Sequence, residues 1–134
     1  MNSGGVQELQ LRRLWLSIGA VLVLNVLLLS LMPLSPTSII TEIPYGDKVA
    51  HAAVYLVLMV WFGGLIPIRH YPYLFVVLLI YGAVIEVLQY YVPYRTMEPA
   101  DLLADGIGLL LGWMLARAGL CNWCLVFESW FRKT

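Results

Sequence analysis

From Leu14 to Met32 the chain runs for 19 residues without a charged side chain. At about 1.5 Å per residue, a helix over that run covers roughly 30 Å, the hydrocarbon thickness of a bilayer. The rest of the chain is in keeping. Of its 134 residues 61% are hydrophobic and only 12% charged, more apolar surface than a soluble domain of this length can hide. The formal net charge of zero and the absence of a basic patch speak against nucleic-acid binding. Two cysteines, Cys121 and Cys124, define no disulfide framework.

Prolines and charges divide the chain into four apolar segments, predicted as helices over 14–32, 46–66, 72–92 and 101–120. The first follows Arg12 and Arg13, as a signal peptide would. Its run is longer than a signal core and no small-x-small cleavage site follows, so it reads as a helix. The loop from Pro33 to Tyr45, with Pro33, Pro36 and Pro44, is not expected to be helical throughout. The segment 122–134 places Trp123, Phe127, Trp130 and Phe131 among Glu128, Arg132 and Lys133, the pattern of a short amphipathic helix lying on the membrane surface. Tyr71, Tyr73, Tyr90, Tyr91 and Tyr94 fall near segment ends and suit an aromatic belt. The expected fold is a single-domain, all-α membrane protein with four transmembrane helices plus a C-terminal interfacial amphipathic helix.

With four spans, Arg12, Arg13, Arg69, Arg117, Arg132 and Lys133 fall on one side, and only Lys48 and Arg95 on the other. The excess of basic residues makes the first side cytoplasmic, with both termini there. The remaining charged and polar clusters of the apolar segments then gather toward the opposite, outer face: Asp47, Lys48 and His51, Glu86 with Gln89, and Asp101 with Asp105. By helical rise, His51 lies roughly 6 Å deeper than Asp47, Asp105 roughly 6 Å deeper than Asp101, and Glu86 roughly 9 Å deeper than Val92. A charge in hydrocarbon costs from about 3 to more than 10 kcal/mol, so ionisable groups there signal function by default.

Spacing lets these groups meet. Asp47, His51 and Tyr55 are four apart and share a face; Gly82, Glu86 and Tyr90 share another, with Gln89 beside it. Asp101, Asp105, Gly108 and Gly112 share a third, where the small-x-x-x-small pair permits close approach of another helix. The run Asp47-Lys48-Val49-Ala50-His51 with Tyr55, then Glu86-Val87-Leu88-Gln89, Pro93 and Arg95, then Asp101, Asp105, Gly108 and Gly112, resembles the VanZ-like family of small bacterial membrane proteins. The resemblance covers about Gly46 to Trp113. The family pattern usually has Asn where this chain has Asp105, which adds a carboxylate. The resemblance implies the inner membrane of a bacterium and, through the family's named member, a link to resistance against the glycopeptide teicoplanin.

The expected site is a polar pocket between the second, third and fourth helices. His51, Glu86 and Asp105 are its candidate catalytic groups, a histidine among carboxylates being suited to acid–base work. Asp47, Lys48, Tyr55, Gln89, Arg95 and Asp101 are candidate ligand contacts, Lys48 and Arg95 being fit for an anionic headgroup. The bland alternatives are a hydrogen-bonded plug that pins helix packing, and cations that snorkel or pair with Asp47 and Glu98. His51, Glu86, Asp101 and Asp105 are also a donor set for Mg²⁺, Mn²⁺ or Zn²⁺, but no compact motif such as H-E-x-x-H is present, and no metal or other cofactor is expected. Cys121-Asn122-Trp123-Cys124 lacks both a second ligand pair and a strand–helix context, so zinc and redox roles are not expected. The expected partner is a membrane lipid, a lipid-linked envelope precursor or a lipophilic antibiotic. An enzyme acting on a lipid headgroup and an accessory subunit packing through Gly108 and Gly112 remain as alternatives.

Overall fold

In the computed structural model, which describes residues 9–33 and 43–131, the chain is helical with no strand among those residues. Four long helices, α1 (Arg12–Leu31), α2 (Gly46–Gly63), α3 (Tyr71–Tyr90) and α4 (Pro99–Arg117), are followed by a short α5 (Trp123–Phe131). Pro36, Arg132 and Lys133 lie outside the described residues. Trp15 near the start of α1 meets Trp61 near the end of α2, while Gln89 at the end of α3 meets Ser30 at the end of α1. The long helices therefore alternate in direction.

Three stretches are long and apolar enough to cross a membrane: Arg12–Leu31, Ile68–Tyr90 and Pro99–Arg117. The helix α2 falls outside that set, since its first two turns carry Asp47, Lys48 and His51. Val21, Leu24 and Leu29 of α1, Val76, Val77 and Ile80 of α3 and Leu110 and Met114 of α4 all point outward and are exposed. Such a belt is untenable in water and natural against lipid tails.

Helix ends follow local chemistry. The helix α2 stops at Gly63, short of the expected Ile66, because Gly64 and then Pro67 follow. Proline in the first turn starts both α3 and α4, where its missing N–H costs nothing. Because α4 begins at Pro99, Asp101 lies in its first turn, where the positive end of the helix dipole favours a carboxylate. At the other end of α4, Gly119 turns the chain with φ of 120°, a conformation open to glycine.

The core is the α2–α4 contact, the most extensive in the molecule, joined by α3. Tyr55, Leu58, Met59, Tyr71, Leu78, Leu109 and Ala116 are buried there. A Cβ on Gly108 would strike the carbonyl of Ala52, and one on Gly112 would strike Leu56 and Met59. The close approach that these glycines permit is thus made by α2 of the same chain. They are buried and not available to a separate partner helix, which corrects that expectation.

At the opposite end from the carboxylates, Trp15, Trp61, Trp123 and Phe127 pack edge to face and tilted. Tyr71 belongs to the core rather than to an interfacial belt: it is fully buried and donates to the carbonyl of Gly63 at 3.0 Å. Glu128 is likewise not on a solvated face. It is 4% exposed and accepts from the backbone N–H of Gln10 and Leu11 and from Trp15 Nε1, at 3.0–3.1 Å. It thereby caps the start of α1 from a distant part of the sequence.

Candidate functional site

The carboxylate end is built from the first turns of α2 and α4 and the last turns of α1 and α3. Lys48 Nζ lies 2.9 Å from Asp47 Oδ2, 2.7 Å from Glu98 Oε2 and 3.0 Å from Asp101 Oδ1. One turn deeper, His51 Nδ1 lies 2.9 Å from Asp105 Oδ1 and its Nε2 lies 3.8 Å from Asp101 Oδ2. Glu86 reaches in from α3, and its Oε2 accepts from the N–H of Glu98 at 3.1 Å. Glu86, Asp101 and Asp105 are all buried. Gly82 makes this possible, because a Cβ there would lie 2.5 Å from Asp105 Oδ2 and 3.0 Å from the Tyr55 hydroxyl.

The helix α1, which the expected pocket left out, is a wall of the site. The last carbonyls of a helix have no partner within it, and in hydrocarbon water cannot supply one. Here Gln89 Nε2 donates to the Ser30 carbonyl at 2.9 Å, the Tyr94 hydroxyl to Leu31 at 2.9 Å, and Arg95 Nη2 to Leu29 at 3.3 Å. The segment after α3 is in this way fastened to α1, and through Glu98 back onto Glu86.

Between these elements lies a cavity of about 290 Å³. Val26, Leu29, Ala50 and Val54 give it an apolar wall; Ser30, Asp47, His51, Tyr55, Gln89 and Arg95 give it polar groups. The expected site residues thus fall into two sets. Asp47, His51, Tyr55, Gln89 and Arg95 face the cavity, whereas Lys48, Glu86, Asp101 and Asp105 form the cluster behind His51. The walls are α1, α2 and α3, not α2, α3 and α4, which corrects the expected composition of the pocket. Arg95 pairs with no carboxylate among the described residues; Glu98 is taken by Lys48. Val26, Leu29, Ser30 and Val54 carry no chemical signature of their own, and only the cavity picks them out.

The helical bundle, its belt of outward aliphatic side chains and its buried ionisable cluster define a helical membrane protein with a polar recess at one end. The VanZ/LLP1 family profile matches residues 7–122, and the chain belongs to that family. The match extends beyond the motif-bearing stretch from Gly46 to include α1, the helix that completes the cavity. Searches of curated proteins and of solved structures return no match.

Proposed function

We propose that the cavity takes the head of an amphiphilic envelope molecule, with α1, α2, α3 and α4 all spanning the inner membrane of a bacterium, the termini cytoplasmic and the cavity toward the outer face. One observation carries this reading. Tyr55 Oη, Gln89 Oε1 and Arg95 Nε are buried without a hydrogen-bond partner among the described residues, and all three residues line the same cavity. A buried polar atom left unpaired costs about 1–3 kcal/mol, so three in one recess describe the complement of a missing guest. Tyr55 and Arg95 offer donors, Gln89 offers an acceptor, and Val26, Leu29 and Val54 suit an adjoining acyl or aryl group. A lipid headgroup, a lipid-linked precursor or a lipophilic antibiotic meets that description, in line with the teicoplanin association of the family's named member.

A second reading rests on His51, which lines the cavity while its Nδ1 is held 2.9 Å from buried Asp105. That arrangement suits acid–base catalysis on the bound head.

Native mass spectrometry of the gently purified protein tests both. The expected result is a defined lipid or lipid-linked adduct on wild type, weakened roughly tenfold or more in Arg95→Ala. His51→Gln should keep the adduct, and abolishes turnover of the identified species only if the enzymatic reading holds. An adduct equally retained by Arg95→Ala, or none on wild type, overturns the binding reading.

A further inference from the structure

Behind His51 three buried carboxylates converge with too little positive charge. Glu86, Asp101 and Asp105 are 2%, 7% and 1% exposed. Among the described residues the one ammonium nearby, Lys48, is shared by Asp101, Asp47 and Glu98. An uncompensated buried carboxylate is costly, so such a group is normally paired or coordinates a metal.

The donors are placed for the second solution. His51, Glu86 and Asp101 each present one ligand atom, and these atoms lie within 4.8 Å of one another. The imidazole is already oriented for the task. Its Nδ1 rests on Asp105 Oδ1 at 2.9 Å, which leaves Nε2, 3.8 Å from Asp101 Oδ2, as the free donor. A carboxylate behind the second nitrogen of a metal-bound histidine is the usual outer-shell support. Asp101 can serve both neighbours, since Lys48 uses its Oδ1 and Oδ2 faces His51. An independent sign of a missing ligand is Glu86 Oε1, which is buried and accepts from no donor among the described residues, although Oε2 is satisfied by the N–H of Glu98.

We propose that His51, Glu86 and Asp101 form a divalent-cation site, with Asp105 orienting the histidine. One imidazole with two carboxylates suits Mn²⁺ or Zn²⁺ better than Ca²⁺ or Mg²⁺, which prefer all-oxygen shells. The second acidic group of similar span, Asp47, Glu98 and Asp101, is not a rival, because the Lys48 ammonium already sits within 3.0 Å of all three. The site goes beyond the cavity reading and does not depend on what the cavity holds. It does compete with the acid–base role, because a metal-bound Nε2 carries no proton.

The test is a Mn²⁺ titration of the chelator-stripped full chain in a non-ionic detergent, followed by electron paramagnetic resonance. Saturable uptake of one ion per chain is expected, with a ¹⁴N coupling in the pulsed spectrum from the His51 imidazole. Glu86→Gln, which keeps an acceptor for the Glu98 N–H, should weaken uptake at least about tenfold. Glu98→Gln, outside the set, should change it by less than about twofold, as expected for a group that is not a ligand. Circular dichroism checks that both variants keep their helices; should Glu86→Gln fail to fold, the ¹⁴N coupling on wild type decides alone. No saturable uptake below about 1 mM, bound Mn²⁺ without the nitrogen coupling, or loss in Glu98→Gln but not in Glu86→Gln each overturns the proposal.

Discussion

Single residues at the aromatic end show how burial changes an ordinary side chain. Cys124 is fully buried, and burial, reinforced by the Glu128 carboxylate, pushes its thiol up to about 12. A raised thiol pKa means that thiolate is scarce at any pH well below 12, and thiolate is the reactive form. At pH 8 iodoacetamide should therefore modify the partly exposed Cys121 and leave Cys124 intact in the folded protein. A doubly modified mass before unfolding would contradict the packing described. Glu128, beside it, holds three donors of the α1 start. Hydrogen bonds to a charged group contribute about 1.5–3 kcal/mol each at most, and removing their shared acceptor strands the donors. Glu128→Ala should lower stability by about 2–3 kcal/mol, seen as a lower midpoint in detergent-denaturant unfolding; an unchanged midpoint would show that water or lipid replaces the carboxylate. Glu128 was legible as an amphipathic polar position, but its task was not, since its partners lie more than 110 residues away in sequence.

At the scale of elements, the pairing of α2 with α4 carries the bundle, and Gly108 and Gly112 marked in the sequence the face of α4 where a helix could approach. Without a hydrophobic drive between helices in lipid, association relies on close packing, which small residues allow. The prediction contrasts two glycines of α4. Gly108→Ala would press a methyl into the Ala52 carbonyl, and backbone cannot swing aside as a side chain can. It should cost about 1–3 kcal/mol or more. Gly106→Ala meets nothing nearer than Leu79 Cδ1 at 3.9 Å and should be neutral or stabilising by up to about 1 kcal/mol through better helix propensity. Unfolding midpoints of the two variants check this, and equal effects would mean that α2 and α4 do not meet at Ala52. What the glycine spacing did not disclose was that the approaching helix belongs to this chain. A small-x-x-x-small stripe reads the same whether its partner is internal or foreign.

For the whole molecule, the proposed direction in the membrane rests on charge. Arg12, Arg13, Arg69 and Arg117 lie at the aromatic end and Lys48 and Arg95 at the carboxylate end, as the alternating helices require. The proposal puts the aromatic end in the cytoplasm, so Thr96→Cys in a Cys121→Ser/Cys124→Ala background should react with an impermeant maleimide on intact cells. Arg69→Cys should react only after permeabilisation. The reverse pattern would invert the bundle and turn the cavity to the cytoplasm. The sequence by itself determined the membrane class, the helical segments to within a few residues, the family resemblance and the gathering of ionisable groups at one end. Each of these depends on run length, 3.6-residue periodicity or motif order, which are local properties of the chain. Only the tertiary structure separated the cavity-facing set, Asp47, His51, Tyr55, Gln89 and Arg95, from the cluster of Lys48, Glu86, Asp101 and Asp105 behind it. It alone made α1 a wall of the site, because Gln89, Tyr94 and Arg95 meet the last carbonyls of α1 only when the helices are packed. The physical reason is that backbone carbonyls and aliphatic walls look alike in every sequence, and which of them a polar side chain reaches is decided by how the helices cross.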